Sequence, residues 1–469
     1  MLFNSYEYLL LFLPTTAAIF FLLNRFVSTT VAKLWLVAAS LAFYSWWGLA
    51  YLPLIIISIL VNYGVGTALG SSHLAPFSRK AVLAAGLAFN IVLLGYFKYA
   101  NFVVDNTNSL AGTSFHLDRI VLPLAISFFT FQKIAYLIDS YHRKTVGYNF
   151  LSYALFVTFF PQLIAGPIVH HREIVPQFSD PKAALLHVGN IATGLCILSI
   201  GLFKKVMIAD TFAGYVSTGF DTDGALQCID AWAASLSYSF QLYFDFSGYT
   251  DMAIGSALIF NIRLPINFNS PYQATDIQDF WRRWHITLSR FLRDYVYIPL
   301  GGNRSGELST YLNLFLTFLV GGLWHGASWM FVIWGGMHGV AIVCHRVWSR
   351  YGGQMPAALA WFVTFSFVNL TWIFFRAKDL NSAKRVLASM INVLDGSLLK
   401  MFDIQQRHAT LLIGLGFVIV LFAKTTVEFC TEARNLERTS VVSGAALAIS
   451  LIAMSFVTAG VSEFLYFNF

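Results

Sequence analysis

The chain has 469 residues, 57% hydrophobic, 17% aromatic and only 11% charged, with a formal net charge of +7. A soluble domain carries about 25% charged residues, so the composition excludes a soluble enzyme and indicates a polytopic membrane protein. The basic residues stand in small clusters between apolar runs, as in short cytoplasmic loops, and form no nucleic-acid-binding stripe.

Tyr8–Leu23 is the first expected span, followed by Arg25 and Lys33. Leu34–Leu49 and Tyr51–Leu69 come next with no basic residue between them, then Arg79 and Lys80. This alternation puts the N-terminus outside. No basic segment precedes the first apolar run, which reads as a retained helix and not a cleaved signal. Ala81–Phe97 is the fourth expected span, Asn101–Arg119 an outside loop, and Val121–Ile138 the fifth span, ending at Asp139, His142, Arg143 and Lys144.

Phe150–Val169 is apolar but interrupted by Pro161, Gly166 and Pro167. Proline removes a helix donor, and broken backbone at membrane depth must be buried in protein or line a cavity. The segment is either a re-entrant pair closing at His170-His171-Arg172 or one kinked span. Gly189–Phe203 is a span ending at Lys204-Lys205. Ala231–Ile262 is a long apolar run carrying Tyr243, Asp245, Ser247, Tyr249 and Asp251. Its carboxylates must face protein, as acceptors for helix ends or basic partners, or as walls of a polar cavity. Cys196, Cys228, Cys344 and Cys430 have no metal-ligand spacing and read as small buried hydrophobes.

Asp279–Tyr295, taken as one helix at about 100° per residue, divides into an aromatic arc and a basic arc. Phe280, Trp281, Trp284 and Phe291 fall in the first; Arg282, Arg283, Arg290 and Arg293 fall in the second. His285 lies at the border. Such a helix cannot span lipid and belongs at the cytoplasmic boundary. Its arginines suit anionic headgroups or the phosphates of a charged cofactor, which favour bidentate donors.

Between Glu307 and Arg346 lie 38 residues without Asp, Glu, Lys or Arg. A hydrocarbon core of about 30 Å needs about 20 residues per span, so this stretch supplies two short crossings. His325, in Gly321-Gly322-Leu323-Trp324-His325-Gly326, then lies near the break between them. An ionisable group there is either a helix-packing histidine bonded to a carbonyl or a functional one. Ala357–Phe374, a basic connector around Arg376–Arg385, Leu411–Ala423 and Val441–Val457 complete the count, and an aromatic terminus Leu465–Phe469 marks an interface on the outer side. The expectation is about eleven or twelve crossings plus re-entrant pieces, with no soluble domain.

A neutral histidine near a hydroxyl and a thioester suffices for acyl transfer, because its ordinary pKa of about 6.5 lets it take and return a proton. No nucleophile elbow, phosphate loop, zinc-binding His-Glu-x-x-His or paired-cysteine motif competes. A transporter with polar residues on broken helices stays open as the other reading.

Five segments together carry a resemblance. They are Gln241–Ala253, Asn267–Tyr272, Asp279–Ser289 with its Arg-Trp-His, Tyr297–Gly302, and Gly322–Gly326 with its Trp-His-Gly. In this order they resemble the membrane-bound O-acyltransferase (MBOAT) family, in its bacterial polysaccharide acetylation branch, typified by the alginate O-acetylation membrane protein. The motif-rich match runs from about Phe128 to Trp372, within a chain read as a single integral-membrane domain, 1–469. The resemblance implies an all-α polytopic fold, a ring of helices around a thin central core pierced by a tunnel. It implies an inner-membrane O-acetyltransferase. The donor is acetyl-CoA entering from the cytoplasm, with no metal. The acceptor is an extracytoplasmic polysaccharide, reached directly or through a periplasmic acetyl-transfer protein. His325 takes the family's essential histidine position and His285 the second. Trp324, Trp284, Arg282, Arg283, Asp245 and Tyr243, which stand in these motifs, are the candidate substrate-binding residues. Transfer of D-alanine to a cell-wall polymer, and a non-catalytic acyl conduit, are the alternatives.

Overall fold

The computed structural model describes residues 1–71, 75–145, 147–222, 224–392, 404–435, 444, 447 and 463–465. Among them every regular element is helical. Six helices are long and apolar enough to cross a membrane, and a seventh span arises if Arg407–Phe422 and Thr426–Arg434, bent by 62°, count as one. The chain is thus an all-α, multi-pass membrane protein. By length and composition these described residues supply six or seven of the eleven or twelve expected crossings, and several other apolar runs form shorter or broken helices. The expected span Val441–Val457 and the end of the aromatic terminus lie outside the described residues, except for single positions.

The helices sort into two compact units. The first comprises Met1–Ile200, Tyr249–Pro265 and Cys430–Ala446. It contains α1 (Leu13–Phe26), α2 (Thr29–Ser45), α3 (Leu52–Gly70), α4 (Pro76–Leu94), α5 (Ala100–Ala111), α6 (Ile126–Tyr141), α7 (Phe150–Thr158), α8 (Phe160–Leu163), α9 (His171–Ser179) and most of α10 (Val188–Phe203). Ser28 starts α2 and Asn149 starts α7, each side chain accepting a hydrogen bond from a backbone N–H three residues on. The proline-interrupted segment is a broken pair and not one kinked span. With nine residues, α7 reaches only about 14 Å, and Pro161 sits in the first turn of the single-turn α8.

An ionic lock closes this broken segment. Asp139, buried at the end of α6, receives His170 Nε2 at 2.8 Å and His171 Nε2 at 3.0 Å on one oxygen, and Lys144 at 3.1 Å and Arg172 at 3.5 Å on the other. Tyr148 bonds the far nitrogen of His171 at 3.1 Å. The donor atoms of Asp139, His170 and His171 lie within 4.8 Å of one another, a spacing that suits a metal, but Lys144 and Arg172 already neutralise the carboxylate. Burial opposes the Asp139 charge, yet the hydrogen bonds from His170, His171 and Lys144 more than offset it and hold the carboxyl below its ordinary range. Asp139→Asn is therefore expected to cost about 3 kcal/mol, because it removes a buried charge that buried His171 and three partly exposed donors share. A lowered melting temperature of the purified protein is the measurement.

The second unit comprises Gly201–Gly248, Ile266–Phe429 and Leu447–Phe469. It holds α11 (Asp210–Phe220), the first part of α12 (Cys228–Ile259), α13 (Ile277–Arg283), α14 (Ile286–Leu292), α15 (Glu307–His325), α16 (Trp329–Tyr351), α17 (Ala357–Arg376), α18 (Leu380–Ile391) and α19 (Ile404–Phe422). The uncharged stretch folds as two helices, α15 and α16, parted at Gly326–Ser328, with Ser328 capping α16. Their crossing is close because it lacks side chains. A Cβ on Gly322 would stand 2.3 Å from the Phe331 carbonyl oxygen, and one on Gly335 would stand 2.5 Å from that of Phe318. Gly322 thus serves helix packing. Gly321 does line open space, in the cavity described next.

Candidate active site

The basic, aromatic stretch is two short helices and not one. Trp284 leaves the helical conformation and His285 adopts φ 43°, ψ 54°, so α13 ends and α14 begins across a sharp turn. Asn267 fixes that turn. Its carbonyl accepts the Ile286 N–H at 3.0 Å, and its side-chain oxygen accepts the Thr287 N–H and hydroxyl at 3.3 and 2.6 Å. Left-handed backbone in a non-glycine residue costs of order 1–3 kcal/mol and concentrates at functional sites.

A cavity of about 510 Å³ opens between α13, α14, the turn after them, α15 and α16. Its lining includes exposed Arg282 and Arg293, half-buried Arg290, the apolar side chains of Leu288, Leu314 and Phe318, and buried Trp281, Trp334 and His325. His325 is the last residue of α15. Its ring stands edge-on to Trp334 and Phe375, each at 5.1 Å between centroids, and 4.9 Å from Trp324. The wall is rigid, because Trp334 stacks on Trp372 at 5.7 Å and Phe375 packs on both. Such a site presents a buried imidazole, held among aromatic rings, on a cavity that also carries exposed guanidinium groups.

The other sequence candidates fall elsewhere. His285 is fully buried, edge-on to Phe246 at 4.8 Å, with Trp324 at 6.0 Å; it does not line the cavity. Burial pushes its imidazole down to about 3, so at neutral pH it carries no proton charge. Trp324 lies edge-on to both histidines and joins them through its ring. Trp284 stacks on Phe280 and packs against Trp372 and Tyr243, which places Trp284 and Tyr243 in the aromatic core. Asp245 pairs with buried Lys205 at 2.7 Å and accepts the Leu465 N–H at 3.0 Å. Of the two adjacent arginines only Arg282 lines the cavity; Arg283 turns back to Asp279 at 2.8 Å, one helical turn earlier. Arg290, Arg293, Trp281 and Trp334 line it too.

The model of MBOAT, the membrane-bound O-acyltransferase family, matches residues 22–382. The chain belongs to this family. It is therefore an O-acyltransferase, and the MBOAT match covers both histidines and the whole cavity. A peptidoglycan O-acetyltransferase of Helicobacter pylori is 46% identical over 516 aligned positions that cover 100% of this chain and 98% of the relative. A probable alginate O-acetylase, AlgI, of Pseudomonas aeruginosa is 40% identical, covering 84% of this chain and 75% of the relative. A teichoic acid D-alanyltransferase of Bacillus subtilis is 28% identical over 55% of this chain and 69% of its own.

Proposed function

We propose that this MBOAT enzyme moves acetyl groups from acetyl-CoA to hydroxyls of an extracytoplasmic glycan, with His325 as the general base. The observation that carries this reading is one cavity lined by three arginines, by apolar side chains and by one buried histidine. CoA has the matching sequence of parts: anionic phosphates, a neutral pantetheine arm and a thioester. Arginine donors suit phosphate, and buried aromatic surroundings that keep water from the imidazole would strengthen every interaction at the reacting carbonyl. A ring nitrogen of His325 takes the proton of the attacking hydroxyl. The oxygen adds to the thioester carbonyl, and collapse of the adduct expels the thiolate. The thiolate takes the proton from the imidazolium, leaving an ester, free CoA and neutral His325. Peptidoglycan is the preferred acceptor because the full-length relative at 46% identity bears that name. The hydroxyl that attacks belongs to the glycan itself or to a periplasmic protein that passes the acetyl on.

Purified enzyme should release CoA thiol from acetyl-CoA when an acceptor is supplied, and deletion of its gene should remove base-labile acetate from peptidoglycan. Thiol release in neither setting would reject the catalytic reading in favour of an acyl conduit. Acetate lost from an exported polysaccharide while peptidoglycan keeps its esters would move the acceptor.

We place the enzyme in the inner membrane with both termini outside and the arginine end of the cavity facing the cytoplasm, a reading supported by the clusters of basic residues in alternate loops. Arg290→Cys, in a background without the four native cysteines, should react with an impermeant maleimide in inverted vesicles and stay unlabelled in intact cells. Labelling from outside would reverse the assignment.

A further inference from the structure

A third histidine, outside both acyltransferase motifs, is built into the cavity wall from behind. His338 on α16 is fully buried. The Trp281 indole N–H donates to its Nδ1 at 3.2 Å, and its Nε2 meets the Thr371 hydroxyl at 3.0 Å. The Thr371 hydroxyl proton is committed to the Val368 carbonyl at 2.8 Å, so the Thr371 oxygen accepts and His338 Nε2 donates. Nδ1 is then a bare acceptor facing an obligate donor. The two contacts agree on one neutral tautomer, and a proton on Nδ1 would set two donors against each other. His338 is therefore committed to its neighbours and has no spare nitrogen for acid–base work. Its ring is also packed against Trp334 at 4.8 Å and Phe367 at 5.3 Å.

The chain Trp281–His338–Thr371 ties α13, α16 and α17 together. Trp281 lines the cavity and precedes Arg282, while Trp334, which packs on both Trp281 and His338, lines it beside His325. We propose that His338 is a positioning residue for the acyl-donor cavity. By holding the Trp281 indole it fixes α13, and with it Arg282, against the wall that carries Trp334 and His325. This rests on the acetyl-CoA reading above.

The test uses the side-chain amides that reproduce one imidazole nitrogen each. Asn places its oxygen where Nδ1 lies and keeps an acceptor for Trp281; Gln places its amide near Nε2 and keeps only the Thr371 side. His338→Asn should stay within about threefold of the parent in KM for acetyl-CoA, whereas His338→Gln should raise KM about tenfold, the scale of one buried hydrogen bond. In both, kcat should change less than KM. Trp281→Phe removes the donor, so His338→Gln in that background should have no further effect on KM. Binding of a non-hydrolysable acetonyl thioether analogue of acetyl-CoA to purified protein is measured in parallel. If the parent does not bind it, the acetyl-CoA reading fails. If the parent binds, but the Asn and Gln variants weaken alike, or the effects of Trp281→Phe and His338→Gln multiply, the positioning role of His338 is overturned.

Discussion

His325→Gln is expected to yield a protein that inserts and purifies like the parent and transfers almost no acetyl. Gln retains much of the volume of the imidazole and hydrogen-bonding groups, so the packing put at risk is chiefly that of the ring against Trp324, Trp334 and Phe375. What it removes is the one titratable group on the cavity wall that is deeply buried. Loss of a general base costs about 10²–10⁴-fold in rate, or roughly 3–5 kcal/mol of barrier. CoA release by the purified variant and ester acetate in the glycan read the effect, with membrane levels as the control. Near-parental rates at parental levels would remove His325 from the chemistry. His285→Gln should cost less, because His285 packs on the Trp324 ring and lies outside the cavity.

Much of the fold was legible because its signals are local. The charge-free interval from Glu307 to Arg346 is long enough for two helices, and the break fell beside His325, where glycines and a capping serine interrupt the pattern. Pro161 likewise marked the broken segment after α7. The basic aromatic stretch failed as a single helix for the opposite reason. Nothing between Asp279 and Tyr295 breaks a helix, since the segment has neither glycine nor proline. The break at Trp284 and His285 is fixed by Asn267, about 20 positions earlier, through a tertiary contact that no periodicity encodes. Even so, three of the four arginines on the expected basic arc meet in one cavity. Arg283 is lost to Asp279, an acidic residue at helical spacing that the sequence did display. His338 was illegible. It is one imidazole in an apolar run, and the indole that gives it meaning is 57 positions away.

The arginine end of the cavity yields the second large expected effect, on KM and not on kcat. Arg282, Arg290 and Arg293 lie along the cavity, while His325 stands at its buried end, so removing the guanidinium groups takes away binding without touching the base. A hydrogen bond to a charged group contributes about 1.5–3 kcal/mol. Arg293 already shares its charge with Asp294 at 2.7 Å, which weakens what it can offer a phosphate. Arg282→Gln with Arg290→Gln should therefore raise KM for acetyl-CoA by about 10²-fold or more, the product of two such losses, with kcat changed little. Arg283→Gln is the matched control, because that side chain is engaged by Asp279 and lies off the cavity. A minimal donor, the acetyl thioester of N-acetylcysteamine, carries the thioester and no phosphates. Its kcat/KM should be the same in the parent and in the double variant, since no phosphate is there to lose. If both donors fall together, the arginines shape the protein or meet lipid headgroups, and the cationic end of the cavity is not where the donor's phosphates bind.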